Sequence, residues 1–274
     1  MSLVVKEVDS KFLNEYSKKF WVTEGKEDLF YVEGTDKILT SKEEMKLLQE
    51  PVIVLPEKFI RKYIDKMDWW YISEYQLLSE EFIREFQDKL DWGSISREQF
   101  LSEDFIEEFK SKVDWSWISC SQELSEDFIC KYQNKVHWGY ISNCQRLSED
   151  FIKKFIYRID WYWISCSQEL SESFMYKYRH RIHWESISRF QTLSEKFIRD
   201  FQKKVDWYWI SKEQVLSESF IRKFSFEVDW DWISRYQKLS ESFIREFHHK
   251  INWSYISWDQ TLSEEFKREF HLKF

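Results

Sequence analysis

Glycine and proline are scarce: four glycines and two prolines in 274 residues. Gly25, Gly34 and both prolines, Pro51 and Pro56, lie before residue 57. Hairpins and tight turns depend on these residues, so their scarcity excludes a strand-and-turn architecture beyond that point. Long apolar runs are missing too. No stretch approaches the ~18 residues of a membrane helix. The N-terminus, MSLVVKEVDSKF, has no leader pattern. The expectation is a cytoplasmic chain without a membrane segment. Cysteine is limited to Cys120, Cys130, Cys144 and Cys166, none in the C-x-x-C spacing of a metal site, which reads as free thiols in a reducing compartment. His137 and His183 stand where other repeats carry a helix-capping Asp, and the remaining histidines fall at outward or terminal positions. No P-loop, G-x-S-x-G, H-E-x-x-H or dinucleotide fingerprint occurs. Carboxylate pairs such as Glu103 and Asp104 recur throughout as helix-start residues. The expectation is therefore no enzyme, no metal and no cofactor. Neither charge sign dominates: 41 Lys and Arg face 49 Asp and Glu, giving −8, and the signs interleave. That argues against nucleic acid along the whole chain and equally against a DNA mimic.

Aromatic residues are abundant, at 20% of the chain. Nine tryptophans, Trp69, Trp92, Trp115, Trp138, Trp161, Trp184, Trp207, Trp230 and Trp253, stand 23 residues apart without insertion or deletion. Unbroken spacing of this kind marks a tandem structural repeat. One copy, residues 78–100, reads LSEEFIREFQDKLDWGSISREQF. The residues equivalent to Leu78, Ser79, Phe82, Ile83, Phe86, Leu90, Asp91, Trp92, Ile95, Ser96 and Gln99 recur almost everywhere.

Two short helices explain the motif. Phe82, Ile83, Phe86 and Leu90 share one face at 100° per residue. Ser79 stands at an N-cap position, with Glu80 and Glu81 at the positive end of the helix dipole. Leu78 with Ile83 is placed as a hydrophobic staple. In the second helix Asp91 caps, and Trp92, Ile95, Ser96 and Gln99 face inward, Ser96 and Gln99 as hydrogen-bond ladders between repeats. So small a unit must bury its faces against copies of itself. The fold expected is an all-α solenoid of about nine and a half repeats over residues 51–274, with the nine tryptophans in one internal row. The last repeat stops after its first helix, with Lys267 where Ile244 stands, as suits an outer terminal face. Residues 1–50 read as a small α+β cap: a degenerate helix at 9–16, a hairpin across 20–34 turning near Gly25, and a Ser41/Glu44 capping box opening a helix before Pro51.

Variation within the repeat points to a candidate surface. The residue two after each repeat tryptophan lies off the Trp92/Ile95/Gln99 face. It is aromatic in seven repeats: Tyr71, Trp117, Tyr140, Trp163, Trp209, Trp232 and Tyr255. Beside this stripe lie variable positions that include Arg97, Arg189 and Arg235. Interface hot spots are rich in such aromatics and arginines. Two readings stay open: an exposed recognition stripe, or rings packed between neighbouring repeats.

The copies LSEEFIREFQDKLDWGSISREQ and LSESFIREFHHKINWSYISWDQ resemble the LSEEFIREF…DW-x-x-IS tandem repeats encoded by large DNA viruses, giant viruses of amoebae among them. The resemblance covers about residues 54–274. It implies a viral origin and a host-cell setting, and brings no functional residues, because that family has no established activity. The architecture is similar to helical-hairpin scaffolds such as tetratricopeptide and HEAT arrays. Three functions follow as expectations: a monomeric or weakly oligomeric scaffold that binds another protein, such as a viral factor engaging or sequestering a host protein; a binder of single-stranded nucleic acid or glycan through the stripe; or a self-assembling structural protein.

Overall fold

The computed structural model describes residues 68–270 without interruption, together with 57–62, Ile64 and strand segments at 3–4, 30–31, 38–39 and 53–54. Contacts divide the chain into two compact bodies, residues 1–137 and 138–274. From residue 57 onward the described residues of each are stacked two-helix repeats.

In the first body the helices are Glu57–Lys62, Trp69–Tyr75, Glu80–Glu85, Trp92–Glu98, Glu103–Glu108, Trp115–Ser121 and Glu126–Lys131. The second body runs from Trp138–Cys144 to Glu264–Glu269 with the same alternation of six- and seven-residue helices. Within each body the second helix of one repeat lies against the second helix of the next. The chain is thus an α-solenoid of 23-residue repeats, as its spacing implies.

Local chemistry sets the helix ends. Ser79 caps Glu80–Glu85, its hydroxyl accepting from Phe82 N at 3.2 Å. Asp91 caps Trp92–Glu98, accepting from Ser94 N at 2.8 Å. His183 does the same for Trp184–Phe190 through Nδ1, which accepts from Ser186 N at 3.4 Å. Between the caps, Phe82, Ile83 and Ile95 are fully buried, as are their counterparts Phe105, Ile106 and Ile118.

Side chains tie each repeat to the backbone of its neighbour. Gln99 Nε2 donates to Gln76 O at 2.7 Å and Ser73 O at 3.3 Å, while its Oε1 accepts from Leu78 N at 2.9 Å. Gln214 repeats this in the second body, with Gln191 O, Ser188 O and Leu193 N. Ser96 Oγ donates to Trp92 O and accepts from Asp114 N at 2.9 Å. These are the ladders expected of the serine and glutamine. A third ladder is additional: Glu80 accepts from the capping Ser102 N at 2.7 Å, and Glu218 from Ser240 N at 2.6 Å. In the same series the Ser263 N–H holds the Glu241 carboxyl below its ordinary range.

The tryptophan row differs from expectation. Each repeat tryptophan is half-buried, not internal. Trp92 stacks on the first helix of the following repeat, 5.0 Å from Phe109 and 6.4 Å from Phe105. Its indole N–H donates to Gln87 O at 2.9 Å, and Lys112 covers the ring at 5.8 Å. An indole is too large for a seven-residue helix to bury, and its N–H needs a partner that the turn supplies.

All regular structure described from residue 57 onward is helical, and the strand pieces precede it. Leu3–Val4 pairs in parallel with Ile53–Val54, which lies just beyond the expected limit of residue 50. Phe30–Tyr31 pairs antiparallel with Ile38–Leu39. That pairing spans Gly34, whereas the hairpin was expected to turn near Gly25; Gly25, residues 9–16 and the Ser41 helix lie outside the described residues.

Candidate interaction face of the second helices

The stripe residues divide by burial. Tyr71 is 8% exposed and belongs to the core, contrary to its expected place on a recognition stripe; its ring packs 4.9 Å from that of Tyr75. Tyr140 and Trp163 are exposed, at 39% and 37%. Trp117, Trp209, Trp232 and Tyr255 are half-buried.

What covers these rings is a rule of pairing. The residue five after the tryptophan in one repeat meets the residue two after the tryptophan in the next. Arg97 lies over Trp117 at 5.0 Å, Arg189 over Trp209 at 4.1 Å, Lys212 over Trp232 at 5.0 Å and Arg235 over Tyr255 at 5.3 Å. Where the second position is serine, the first is a hydrogen-bonding group. Ser94 Oγ meets Glu74 at 2.7 Å, and Ser186 Oγ meets Cys166 Sγ at 3.1 Å. The two variable positions match at these six junctions; Asn143 before Trp163 and Cys120 before Tyr140 do not follow the pattern. Cation–π contact orders the arginine heads without neutralising them. Arg97 also pairs with Glu98 and Glu74, and the hydrogen bond it donates to Glu98 raises its pKa further.

The more exposed rings stand one residue after the tryptophan, a position the sequence reading passed over. Trp70, Tyr162 and Tyr208 are exposed there. Tyr208 meets Trp209 edge-on at 4.9 Å and Trp232 at 5.5 Å, and Trp232 stacks on Tyr236 at 5.6 Å. Tyr162 meets Trp163 at 5.0 Å and His183 at 5.1 Å, and the adjacent Cys166 sulfur raises its pKa. Phe190, Tyr236 and Trp258 extend the exposed face. The signal available was that this position mixes glycine, serine and acids with large aromatics (Gly93, Ser116, Glu185), a range no buried site tolerates.

Among the described residues no three His, Cys, Asp or Glu side chains gather as a metal site, and no buried side-chain nitrogen or oxygen lacks a hydrogen-bond partner. No helix among them is long and apolar enough to cross a membrane. None of the four cysteines forms a disulfide.

Fold and surface together define a helical-repeat protein with a fixed interior and a varied outer face on its second helices. No family model, curated protein or solved structure matches the chain.

Proposed function

We propose that this chain is a non-enzymatic repeat scaffold that binds another protein across the outward face of its second helices. The observation carrying this reading is the contrast between repeat positions. The Ser/Gln ladder and the Phe/Ile core recur from repeat to repeat, with Met175 and the terminal Lys267 the departures from isoleucine, while the outward positions vary and still present Tyr162, Tyr208, Tyr236 and Trp258 to solvent. Rigid aromatic side chains beside arginine are the composition of interface hot spots. The resemblance to repeats of large DNA viruses supports a viral factor that engages a host protein in the host cytoplasm. Stacking of glycan or bases on the stripe itself is less well supported, because Arg189, Lys212 and Arg235 already lie over its rings.

The test is affinity capture from the native host cell, with nuclease treatment, using wild type and the Tyr162→Ala/Tyr208→Ala double variant. A nuclease-resistant protein partner lost in the variant, with helicity retained, supports the reading. Identical capture by both chains removes it.

A further inference from the structure

A different edge carries an excess of positive charge in a chain that is acidic overall. In the second body each first helix ends in a turn leading to the next tryptophan. Over five such segments, 153–158, 176–181, 199–204, 222–227 and 245–250, there are thirteen Lys or Arg and only three carboxylates, Asp200, Glu227 and Glu246. The chain as a whole is −8. Of the same segments in the first body, those at 84–89 and 107–112 are balanced, with Arg84 and Lys89 against Glu85 and Asp88, and Lys110 and Lys112 against Glu107 and Glu108, while 130–135 carries Lys131 and Lys135 with no carboxylate, Lys131 being paired with Glu107.

Geometry places these cations in rows that follow the stack. Arg181 lies over Tyr157 at 5.1 Å, Lys204 over Trp184 at 5.5 Å and Lys250 over Phe226 at 4.2 Å, each reaching back to the preceding repeat. Lys177 and Lys223 lie over Tyr178 and Phe224. Among the described residues none of these five is ion-paired with a carboxylate; they are held by ring faces, so their charge persists. Arg222 and Arg245, by contrast, bind Glu246 and Glu269. Two rings project from the same edge, Tyr157 at 86% exposure and Phe226 at 92%. Each has a cation over one face.

We propose that this turn edge of the second body binds single-stranded nucleic acid, cation rows contacting phosphates and Tyr157 and Phe226 stacking on bases. Backbone-tracking positive charge with interspersed aromatic faces is the chemistry of sequence-tolerant single-strand binding. An acidic peptide would use the cations but offers a ring to Tyr157 and Phe226 only where it carries an aromatic side chain, whereas each nucleotide brings a phosphate and a base together. The edge is separate from the outward face of the second helices, so this inference stands apart from the proposed protein partner.

The probe is a fluorescently labelled oligothymidylate, its anisotropy measured with the full chain at increasing salt. One phosphate contact per segment predicts a slope of log affinity against log salt of about −3.5, at ~0.7 per contact. The exposed pair Arg181→Glu/Lys204→Glu is expected to weaken binding about tenfold or more and to flatten the slope by about 1.4. Lys89→Glu, in the first body, is expected to leave binding unchanged. Tyr157→Ala/Phe226→Ala is expected to weaken binding with the slope preserved. Circular dichroism checks that each variant is folded. Absence of binding at low salt overturns the proposal. So does equal sensitivity to Lys89→Glu, or displacement of the oligonucleotide by polyglutamate at equal charge, which would mark the edge as a surface for acidic protein.

Discussion

Arg189 and Trp209, twenty residues apart in sequence, lie face to face at 4.1 Å because successive second helices stack. Neither has a fixed identity in the repeat, yet four such pairs set a cation over a ring, and two more set Glu74 and Cys166 against serines. A double-mutant cycle on Arg189→Gln and Trp209→Ala is expected to give a coupling of about 0.5–1 kcal/mol in urea denaturation. Strict additivity would show that the contact contributes nothing.

The glutamine ladder is expected to be the most sensitive polar element. Gln214→Leu leaves Gln191 O, Ser188 O and Leu193 N without their side-chain partner in the interior. Each buried group left unpaired costs about 1–3 kcal/mol, so the variant should lose at least about 3 kcal/mol. Hydrogen exchange localises the effect: the Leu193 amide should lose protection first.

Trp161 and Trp163 separate packing from surface. Trp161 sits 5.5 Å from Tyr178 and 6.2 Å from Phe174, half-buried. Trp163 is exposed and touches Tyr162 edge-on. Trp161→Ala should cost about 2–4 kcal/mol, somewhat less than full burial would imply. Trp163→Ala should cost under about 1 kcal/mol, since surface substitutions rarely exceed that. Chemical denaturation of both variants decides it; equal losses would return Trp163 to the core.

Alkaline stability reports one inter-repeat bond. The Tyr176 hydroxyl donates to Asp200, which pushes its pKa up to about 12 from the ordinary tyrosine value of 10.0. The folded chain then retains a proton that the unfolded chain has lost. Stability contributed by this group is intact below about pH 10 and declines as pH rises towards 12. Thermal melts between pH 9 and about 12 should show a smaller decline for Tyr176→Phe than for wild type. The same decline in both would assign the alkaline loss to other groups.

The interior was legible in the sequence because each buried residue is fixed by its own helix. Ser79, Phe82, Ile83, Asp91 and Ile95 obey local rules of capping and periodicity. The glutamine ladder was foreseeable too, since an invariant buried amide must find partners. What escaped reading lies between repeats. Glu80 looked like a dipole partner of its own helix, although its recurrence, against the variation at Glu81, Asp104 and Ser173, marks a more demanding role. Its partner, Ser102 N, is 22 residues away. The coverage of Trp92 by Lys112 and the fit of Arg189 to Trp209 likewise depend on how one helix rests on the next. Tyr71 was misplaced because its position matches Trp163 while its ring is buried against Tyr75; Trp232, which stacks on the equivalent Tyr236, is only half-buried, so the position alone does not set exposure.

The ladders also bear on how such a chain arises. The glutamine, serine and glutamate rungs join residues 18 to 26 apart, always to an adjacent copy. A gene that gains or loses one whole 69-nucleotide segment would create no new kind of contact and orphan none inside the stack. Copy number can drift by slippage during replication while the interior stays intact. The outward residues of each inserted copy then diverge freely, and a fit between position five of one copy and position two of the next, as for Arg189 and Trp209, adds to the junction where it arises.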